Sequence, residues 1–339
     1  MDAKDRNILV TIRFFDDEAR AVLENAGCNV VVREPQGQND GTFSPAQLID
    51  MLAGMQGWIV GHAWASREVL EGAPSLKVIA RRGVGYERVD VTAAKELGKV
   101  VTIAAGGNAP SVADQTIGMM LAVGRRLREM QARMEQGDWT ILLGTELYRR
   151  TVGLVGFGRI ARQVARRLAG FEAEVLVYSP RPDYEAEAEY GVRHVDLPTL
   201  LREADYVSLH APLNEATRHL IDAAALAAMK PTAIIINTAR GGLVNEAALL
   251  DALREKRILG AGLDVFEGEA DPALRPLVAE LARLPNVVAT PHSAASTGEA
   301  LTRSNLLAAR SAVAVLDGGM PAPDCVVVDG RTPTLAGAR

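Results

Sequence analysis

Short apolar runs alternate with longer amphipathic stretches over the first hundred residues of the chain. The short runs predict buried strands, and stretches whose apolar residues recur every three or four positions predict helices. The predicted strands are Ile8–Ile12, Cys28–Val32, Trp58–Val60, Leu76–Arg81 and Val100–Ile103. The predicted helices are Asp17–Ala26, a helix capped by Ser44 that runs to Met55, Arg67–Leu70 capped by Ser66, and Val91–Leu97. This alternation predicts a parallel sheet with helices on both faces.

A second strand–helix series begins at Thr151, after a region that has no strand pattern. Gly106-Gly107 ends the first series, and we expect Ser111 to cap a long helix, Val112–Met130, that leads into an arm ending near Tyr148. The strands predicted for the second series are Thr151–Val155, Val175–Tyr178, Tyr206–Leu209, Ala233–Asn237, Gly260–Phe266 and Val287–Thr290. Its predicted helices include Arg159–Leu168, Ala223–Met229 capped by Asp222, and Glu246–Arg254 capped by Asn245.

A last helical pattern, Ser296–Leu316, is long enough to return the chain to the first series. We therefore expect a discontinuous first domain, residues 1–105 plus 296–330, and a second domain, residues 106–295, with a bridging helix and arm at about 111–148. The tail Arg331–Arg339 is expected to be frayed. The length of 339 residues also suits two domains.

Composition narrows the functional classes. The net charge of −5 argues against non-specific nucleic-acid binding. The N-terminal sequence has no apolar core of a signal peptide, and no run of 18 apolar residues predicts a membrane span. Two cysteines, Cys28 and Cys325, are too few for a disulfide framework. We expect a cytoplasmic protein that holds no metal.

The stretch Thr151–Ala161, TVGLVGFGRIA, has the order strand, glycine turn, helix. Gly156 permits the sharp turn, Gly158 lets the backbone approach a pyrophosphate, and Ala161 takes the third small position of a dinucleotide-binding fingerprint. The free backbone N–H groups and the positive end of the helix dipole then form an anion site. A plain strand–helix–strand crossover without ligand is the alternative, and the flanking elements make it the less favoured one.

Three residues with chemical potential follow three predicted strands of the second series. Arg240 lies in NTARGG, Glu269 in LDVFEGE and His292 in TPHSAAS. The carboxyl ends of parallel strands line the ligand crevice of open α/β folds. A guanidinium for a carboxylate, an imidazole for proton transfer and a carboxylate to orient that imidazole suit hydride transfer between a nicotinamide and a 2-hydroxy acid. Each residue alone is more often structural or solvated; their shared position argues for the catalytic interpretation.

The chain resembles the D-isomer-specific 2-hydroxyacid dehydrogenases, near the phosphoglycerate dehydrogenase and hydroxypyruvate or glyoxylate reductase branches. The resemblance spans nearly the whole chain. It is carried by the motifs RRGVGYERVD, GGNAPSVADQTIGMML, GTELYRRTVGLVGFGRIA, DYVSLHAPLNEATRHLI, INTARGGLVNEAALLDAL, GAGLDVFEGE and NVVATPHSAAS. It implies two Rossmann-like doubly wound domains, one for substrate and one for the dinucleotide, with the active site in the cleft between them. It also implies a homodimer whose contacts include an arm like Leu121–Tyr148.

The resemblance implies roles for further residues. The family's catalytic Arg, Glu and His fall on Arg240, Glu269 and His292. Substrate contacts are expected from Arg81, Val84, Gly85 and Asn108. Cofactor contacts are expected from Gly156, Gly158, Arg159 at the pyrophosphate, Ile160, Pro212, Thr238, and Asp264 at the nicotinamide carboxamide.

The usual acidic residue that binds the adenosine ribose of NAD is missing after the strand Val175–Tyr178. Ser179 occupies its place, and Arg181 follows two residues later. A hydroxyl and a guanidinium favour the 2′-phosphate of NADP, whereas Asp183 keeps NAD open as the alternative.

The sequence indicates the substrate less closely than it indicates the reaction. Arg81 matches one cation of the phosphoglycerate users, but Val60-Gly61-His62-Ala63 has no arginine where a second is expected, and no regulatory domain is evident. Hydroxypyruvate, glyoxylate or another small 2-keto acid is therefore favoured over a phosphorylated one. The alternatives are a phosphoglycerate dehydrogenase without a regulatory domain, a dehydrogenase of a small anion such as formate or phosphite, and a dinucleotide-sensing scaffold resembling a corepressor.

Overall fold

The computed structural model describes residues 6–37, 39–269 and 271–331. The chain divides into two compact units. The first unit contains the described residues up to Asn108 together with those from Ser296 onward, and the second is Ala109–Ala295. Each unit is an α/β sandwich around its own sheet, so the α/β class expected from the alternating pattern is confirmed.

The first unit is a six-stranded sheet in the order β13-β5-β4-β3-β1-β2. Its strands are β1 (Asn7–Val10), β2 (Asn29–Val32), β3 (Gly57–Val60), β4 (Val78–Arg81), β5 (Val100–Ile103) and β13 (Val326–Asp329). Its helices are α1 (Asp17–Asn25), α2 (Pro45–Leu52), α3 (Arg67–Glu71), α4 (Val91–Glu96) and α13 (Gly298–Leu316). Strands β1 to β5 pair in parallel, whereas β13, which the sequence pattern did not predict, pairs antiparallel with β5.

Alternate residues of the strands enter different cores because successive side chains point to opposite faces of a sheet. Leu9 and Ile79 belong to the core that also holds Leu48 of α2. Ile8 and Val78 belong to the opposite core, with Ala312 of α13. Both faces of this sheet are therefore covered, which explains why its strands read as continuous apolar runs.

The second unit is a seven-stranded parallel sheet in the order β12-β11-β10-β9-β6-β7-β8. Its strands are β6 (Thr151–Val155), β7 (Glu174–Tyr178), β8 (Val192–His194), β9 (Tyr206–Leu209), β10 (Ile234–Asn237), β11 (Gly260–Leu263) and β12 (Val287–Ala289). Its helices are α5 (Ala109–Gly124), α6 (Leu127–Met134), α7 (Arg159–Leu168), α8 (Tyr184–Tyr190), α9 (Leu197–Glu203), α10 (Ala223–Ala228), α11 (Glu246–Arg254) and α12 (Arg275–Arg283). The chain order reverses at β6, where α/β folds place their ligands.

The helix expected at Val112–Met130 is wrong in both its start and its continuity. Helix α5 begins before Ser111, whose hydroxyl donates to the carbonyl of Ala294 at 2.6 Å instead of capping the helix. The helix ends at Gly124, whose carbonyl accepts the Thr145 N–H at 2.8 Å, and Arg126 is left-handed with φ of 53°. The arm thus turns back against the end of α5, and α6 starts as a separate helix.

The other predicted caps are confirmed. Ser44, Ser66, Asp222 and Asn245 each accept a backbone N–H from the first turn of the helix that follows. The last long helix begins two residues later than expected, because Thr297 rather than an earlier residue caps it. Of the tail expected to be frayed, Arg331 pairs with Asp329 at 2.8 Å, and residues 332–339 lie outside the described residues.

Candidate active site

Arg240, Glu269 and His292 follow three neighbouring strands of the second unit. Arg240 comes after β10, Glu269 ends the 3-10 turn Glu267–Glu269 after β11, and His292 comes after β12. These strands lie side by side and parallel, so their carboxyl ends share one edge of the sheet. The structure therefore gathers the three side chains where the sequence places them.

His292 and Glu269 form a direct pair. The Nδ1 atom of His292 lies 2.7 Å from Oε2 of Glu269, and the other carboxylate oxygen accepts the Phe266 N–H at 2.8 Å. The His292 side chain is 48% exposed, and Nε2 is the ring nitrogen that does not contact Glu269. A His held in this way presents a defined tautomer for proton transfer.

The two partners shift each other's ionisation. The hydrogen bond that His292 donates to Glu269 and the negative charge of Glu269 raise the pKa of His292, although burial and the charge of Arg240 oppose this. Burial alone would raise the pKa of Glu269, but the hydrogen bond and charge of His292 outweigh it and hold that pKa below its ordinary value. The pair consequently favours an imidazolium beside a carboxylate, which is the form that can donate a proton.

Asp264 anchors the loop that carries His292. Its carboxylate is fully buried and accepts the hydroxyl of Thr290 and the backbone N–H groups of Ser293 at 2.8 Å and Ala294 at 2.9 Å. Its carbonyl accepts the His292 N–H at 2.7 Å, and His292 itself has a left-handed φ of 52°. Such a conformation costs about 1–3 kcal/mol in a non-glycine residue and persists only when its surroundings impose it.

The turn that presents Arg240 is shaped by Asn237. The buried Asn237 amide accepts the Ala239 N–H at 3.1 Å and donates to the Arg240 carbonyl at 2.9 Å. Sequence reasoning missed this residue, although asparagine is a common former of such side-chain turns. The charge of Arg240 lowers the pKa of both Glu269 and His292, which places its guanidinium within electrostatic reach of the pair.

The glycine turn after β6 fits a dinucleotide phosphate. Gly156 has φ of 94°, and a Cβ there would lie 2.7 Å from the carbonyl oxygen of His210, so only glycine suits this position. Gly158 is the N-cap of α7 and makes no side-chain cap, and a Cβ on it would meet nothing within 4 Å. Helix α7 thus begins without a side-chain cap, and a helix N-terminus at Arg159 and Ile160 suits an anion.

The end of β7 carries Ser179 and Arg181. The Ser179 hydroxyl donates to the Arg181 carbonyl at 3.1 Å, and the Arg181 side chain is exposed. Asp183 is engaged elsewhere, because it caps α8 through the Ala186 N–H and pairs with Arg162 at 2.6 Å.

Two further residues that are expected to contact the cofactor lie at the same edge of the sheet. Pro212 lies just beyond β9 and is exposed, and its carbonyl accepts the Thr217 hydroxyl at 2.7 Å. Thr238 follows β10 and is buried, with its hydroxyl 2.9 Å from that of Thr116.

The residues expected to bind substrate lie in the first unit. Arg81 ends β4, and its Nε donates to the Gly85 carbonyl at 2.7 Å, which ties the loop containing Val84 and Gly85 to the strand. Asn108 is the last residue of this unit before α5 begins.

His210 illustrates why position alone does not identify a proton donor. It also follows a strand, β9, but burial lowers its pKa to about 4, and its Nε2 lies 2.9 Å from the Ser208 hydroxyl. Across residues 6–37, 39–269 and 271–331, no three His, Cys, Asp or Glu side chains are grouped to hold a metal ion. None of the helices in those ranges is long and apolar enough to cross a membrane.

Known proteins resemble this chain in both sequence and structure. The family model of the D-isomer specific 2-hydroxyacid dehydrogenase NAD binding domain matches residues 117–294. A hydroxypyruvate reductase of Thermotoga maritima is 43% identical over 238 residues, covering 70% of this chain and 76% of that protein. A glyoxylate reductase of Thermococcus litoralis is 42% identical over 264 residues, covering 75% and 78%. The chain belongs to the D-isomer specific 2-hydroxyacid dehydrogenases.

Structure supports the same assignment. The crystal structure of the TT0316 protein from Thermus thermophilus superposes with a TM-score of 0.83 at 37% identity, covering 95% of this chain and all of that one. The resemblance expected from the motifs is thereby confirmed, and the activity is NAD-linked oxidoreduction of hydroxy acids. The scaffold and phosphoglycerate alternatives are not favoured.

Proposed function

We propose that this dehydrogenase reduces a small 2-keto acid by proton donation from His292 while Arg240 binds the substrate carboxylate. The observation that carries the proposal is the 2.7 Å pair between His292 and Glu269 at the strand ends that also hold Arg240. A nicotinamide dinucleotide, when bound, supplies the hydride to the keto carbon. Glu269 stabilises the imidazolium, the proton passes from His292 Nε2 to the carbonyl oxygen, and a D-2-hydroxy acid results.

We further assign the unit Ala109–Ala295 to the dinucleotide and the other unit to the substrate. Gly156, Gly158, Arg159 and Ile160 would hold the pyrophosphate, while Pro212, Thr238 and Asp264 would line the rest of the cofactor site. In the first unit, Arg81, Val84, Gly85 and Asn108 would contact the substrate. The lack of a side-chain cap on α7 and the space around Gly158 support the first assignment.

Hydroxypyruvate or glyoxylate is the favoured substrate. The names of the Thermotoga maritima and Thermococcus litoralis relatives point to these keto acids. The absence of arginine at Gly61-His62 argues against a phosphorylated one.

We favour NADP over NAD because Ser179 stands where the ribose-binding acid usually follows the strand. Asp183, the alternative partner for ribose hydroxyls, is committed to α8 and Arg162. The exposed Arg181 would pair with a 2′-phosphate, and Ser179, whose hydroxyl donates to the Arg181 carbonyl, places no carboxylate there to repel it.

A homodimer is supported by the arm after α6. Trp139, Ile141 and Leu143 are 78%, 85% and 89% exposed, and apolar side chains clustered on a surface mark interaction sites. Light scattering should give a dimer mass, and serine at all three arm positions should give a monomer; a monomeric wild type contradicts the proposal.

We also propose a cytoplasmic location. Both described cysteines, Cys28 and Cys325, are free and buried, which is typical of proteins in a reducing compartment.

Replacement of His292 tests the catalytic assignment. His292→Asn should lower kcat for glyoxylate or hydroxypyruvate reduction roughly 100- to 10,000-fold, the usual contribution of a general acid. Binding of the dinucleotide, followed by fluorescence, should be retained. Arg67→Gln is a control, since it removes an exposed ion pair, 2.7 Å from Glu96, that has no place in the proposed reaction. Turnover that survives in His292→Asn would refute the role of His292.

The coenzyme assignment is tested separately. Wild-type kcat/KM should be higher with NADPH than with NADH. Ser179→Asp and Arg181→Ala should each lower the NADPH/NADH ratio by about tenfold or more, because a hydrogen bond to a charged group contributes about 1.5–3 kcal/mol. Arg202→Ala, on the exposed side of α9, should leave the ratio unchanged. A wild-type preference for NADH would refute the proposed preference for NADP.

A further inference from the structure

Glu246 is a buried acid that the proposed reaction does not use. It is the first residue of α11, a position where acids are common because they favour the helix dipole. Asn245 already caps this helix by accepting the Ala248 N–H at 3.0 Å. Glu246 is nevertheless only 4% exposed, which is a costly location for a carboxyl group that served the helix alone.

The Glu246 carboxyl contacts the turn that carries Glu269. Its Oε1 accepts the Glu267 N–H at 2.7 Å, across 21 residues of sequence. Glu267 begins the 3-10 turn that ends at Glu269, the partner of His292. The bond therefore holds the first peptide of the turn whose last residue orients the proposed acid.

Gly241 lies against the same Phe266–Glu267 peptide. A Cβ at Gly241 would stand 2.2 Å from the Phe266 carbonyl carbon and 2.5 Å from the Glu267 nitrogen, so the two backbones touch. Because Gly241 directly follows Arg240, this contact joins the Arg240 turn to the Glu269 turn. Glu246 and Gly241 together restrain one peptide that lies between two residues of the site.

Two neighbouring acids, Glu267 and Glu269, form ion pairs, and the environment of Glu246 is different. The Glu267 carboxylate pairs with Arg218 at 3.0 Å and His219 at 2.8 Å, and Glu269 pairs with His292. The buried Oε2 of Glu246 has no hydrogen-bond partner among the described residues. Burial, helped by the charges of Glu267 and Glu269 and opposed by the Glu267 N–H and by His219, raises the pKa of Glu246 to about 7.

We propose that Glu246 is a positioning residue for the Glu269–His292 pair: it fixes the turn Glu267–Glu269 through the Glu267 N–H, and its ionisation adds negative charge beside Glu269. This rests on the proposed roles of Glu269 and His292. A charged Glu246 makes Glu269 a stronger acceptor, so the His292 imidazolium survives to higher pH. The protonated form holds the turn without that electrostatic help.

Two substitutions separate the geometric effect from the electrostatic one. Glu246→Gln keeps an oxygen for the Glu267 N–H but cannot ionise, and Glu246→Leu removes the acceptor. Glyoxylate reduction by the purified full chain is measured from pH 5.5 to 9, with kcat and KM determined at each pH. Glu18→Gln, an exposed acid in the first turn of α1, is the matched control.

At pH 6 Glu246→Gln should turn over within about twofold of wild type, since both side chains are then neutral. Above pH 7 its reduction rate should fall several-fold below wild type, with the descending limb at lower pH. Glu246→Leu should lose about tenfold in kcat at pH 6 and more above pH 7, where it also lacks the charge. Its KM for the keto acid should change less than threefold, because the proton donor and not the carboxylate site is displaced.

Superimposable pH profiles for wild type and Glu246→Gln would overturn the inference, and so would a folded Glu246→Leu with wild-type kcat. If Glu246→Leu does not fold, the pH profile of Glu246→Gln still tests the inference. The proposed function fails in a different way, through an inactive wild type or an active His292→Asn.

Discussion

At the scale of single residues, the hydrogen bond between Glu269 and His292 determines how the reaction depends on pH. The pKa of His292 is raised above 6.5, so its charged form, which donates the proton, is the major one up to a pH above 6.5. Reduction should therefore be constant in acid and decline as pH rises through that pKa. Oxidation, which needs the neutral imidazole as base, should rise over the same interval.

Glu269→Gln tests this dependence, because it removes the largest cause of the raised His292 pKa. The declining limb of reduction should move to lower pH, and kcat should fall by about tenfold or more with loss of the charged partner. Glu255→Gln, an exposed acid beside Arg257, should change neither. A limb that stays in place would mean that another group titrates in the wild-type profile.

Single residues also differ in how far their sequence context reveals them. Arg240, Glu269 and His292 can be proposed from their positions after predicted strands. Glu246 cannot be proposed in this way. An acid after a helix cap has the same sequence pattern whether it faces solvent or accepts a hydrogen bond from a residue 21 positions later. Its contact depends on how two loops approach, and that approach depends on the missing Cβ of Gly241.

At the scale of elements, continuous apolar runs predicted the longer strands well, because both faces of each sheet are covered. Strand β8, only Val192–His194, was missed since two of its three residues are polar. Strand β13 was missed although Val326–Val328 is an apolar run, because it follows the last long helix and lies outside both strand–helix series. The break between α5 and α6 was missed because it depends on the arm, whose Thr145 N–H donates a hydrogen bond to the Gly124 carbonyl.

Two glycine substitutions should have opposite effects on stability. Gly118 lies within α5 on an exposed position, and a Cβ there meets nothing within 4 Å. Gly118→Ala should stabilise the chain by about 0.8–1 kcal/mol, the difference in helix propensity, and raise Tm by a few degrees. Gly241→Ala should lower Tm and kcat together, because its Cβ displaces the Phe266–Glu267 peptide. Calorimetry and turnover check both; a neutral Gly241→Ala would show that the turn yields without cost.

At the scale of the whole molecule, sequence periodicity does not predict the order of the strands in each sheet. The alternation predicts parallel sheets, but the position of β6 between β7 and β9 follows from how the crossovers pack. That position brings the Gly156 turn beside His210 at the end of β9, where a Cβ would collide with the backbone. The dinucleotide turn was recognisable from its glycines, whereas the neighbour that makes Gly156 necessary was not.

The raised pKa of Glu246 also makes global stability depend on pH. The folded chain binds this proton with a pKa of about 7, against an ordinary value of 4.5. Its stabilising contribution is therefore complete below the ordinary value and is lost as pH rises through about 7. This difference between the folded and the ordinary value corresponds to about 3 kcal/mol. Glu246→Gln should thus gain stability relative to wild type between pH 5 and pH 8.5, by about 5–10 °C in Tm. Other titrating groups are common to both proteins and cancel in the difference, so a Tm difference that does not change with pH would mean that Glu246 stays ionised, or protonated, throughout.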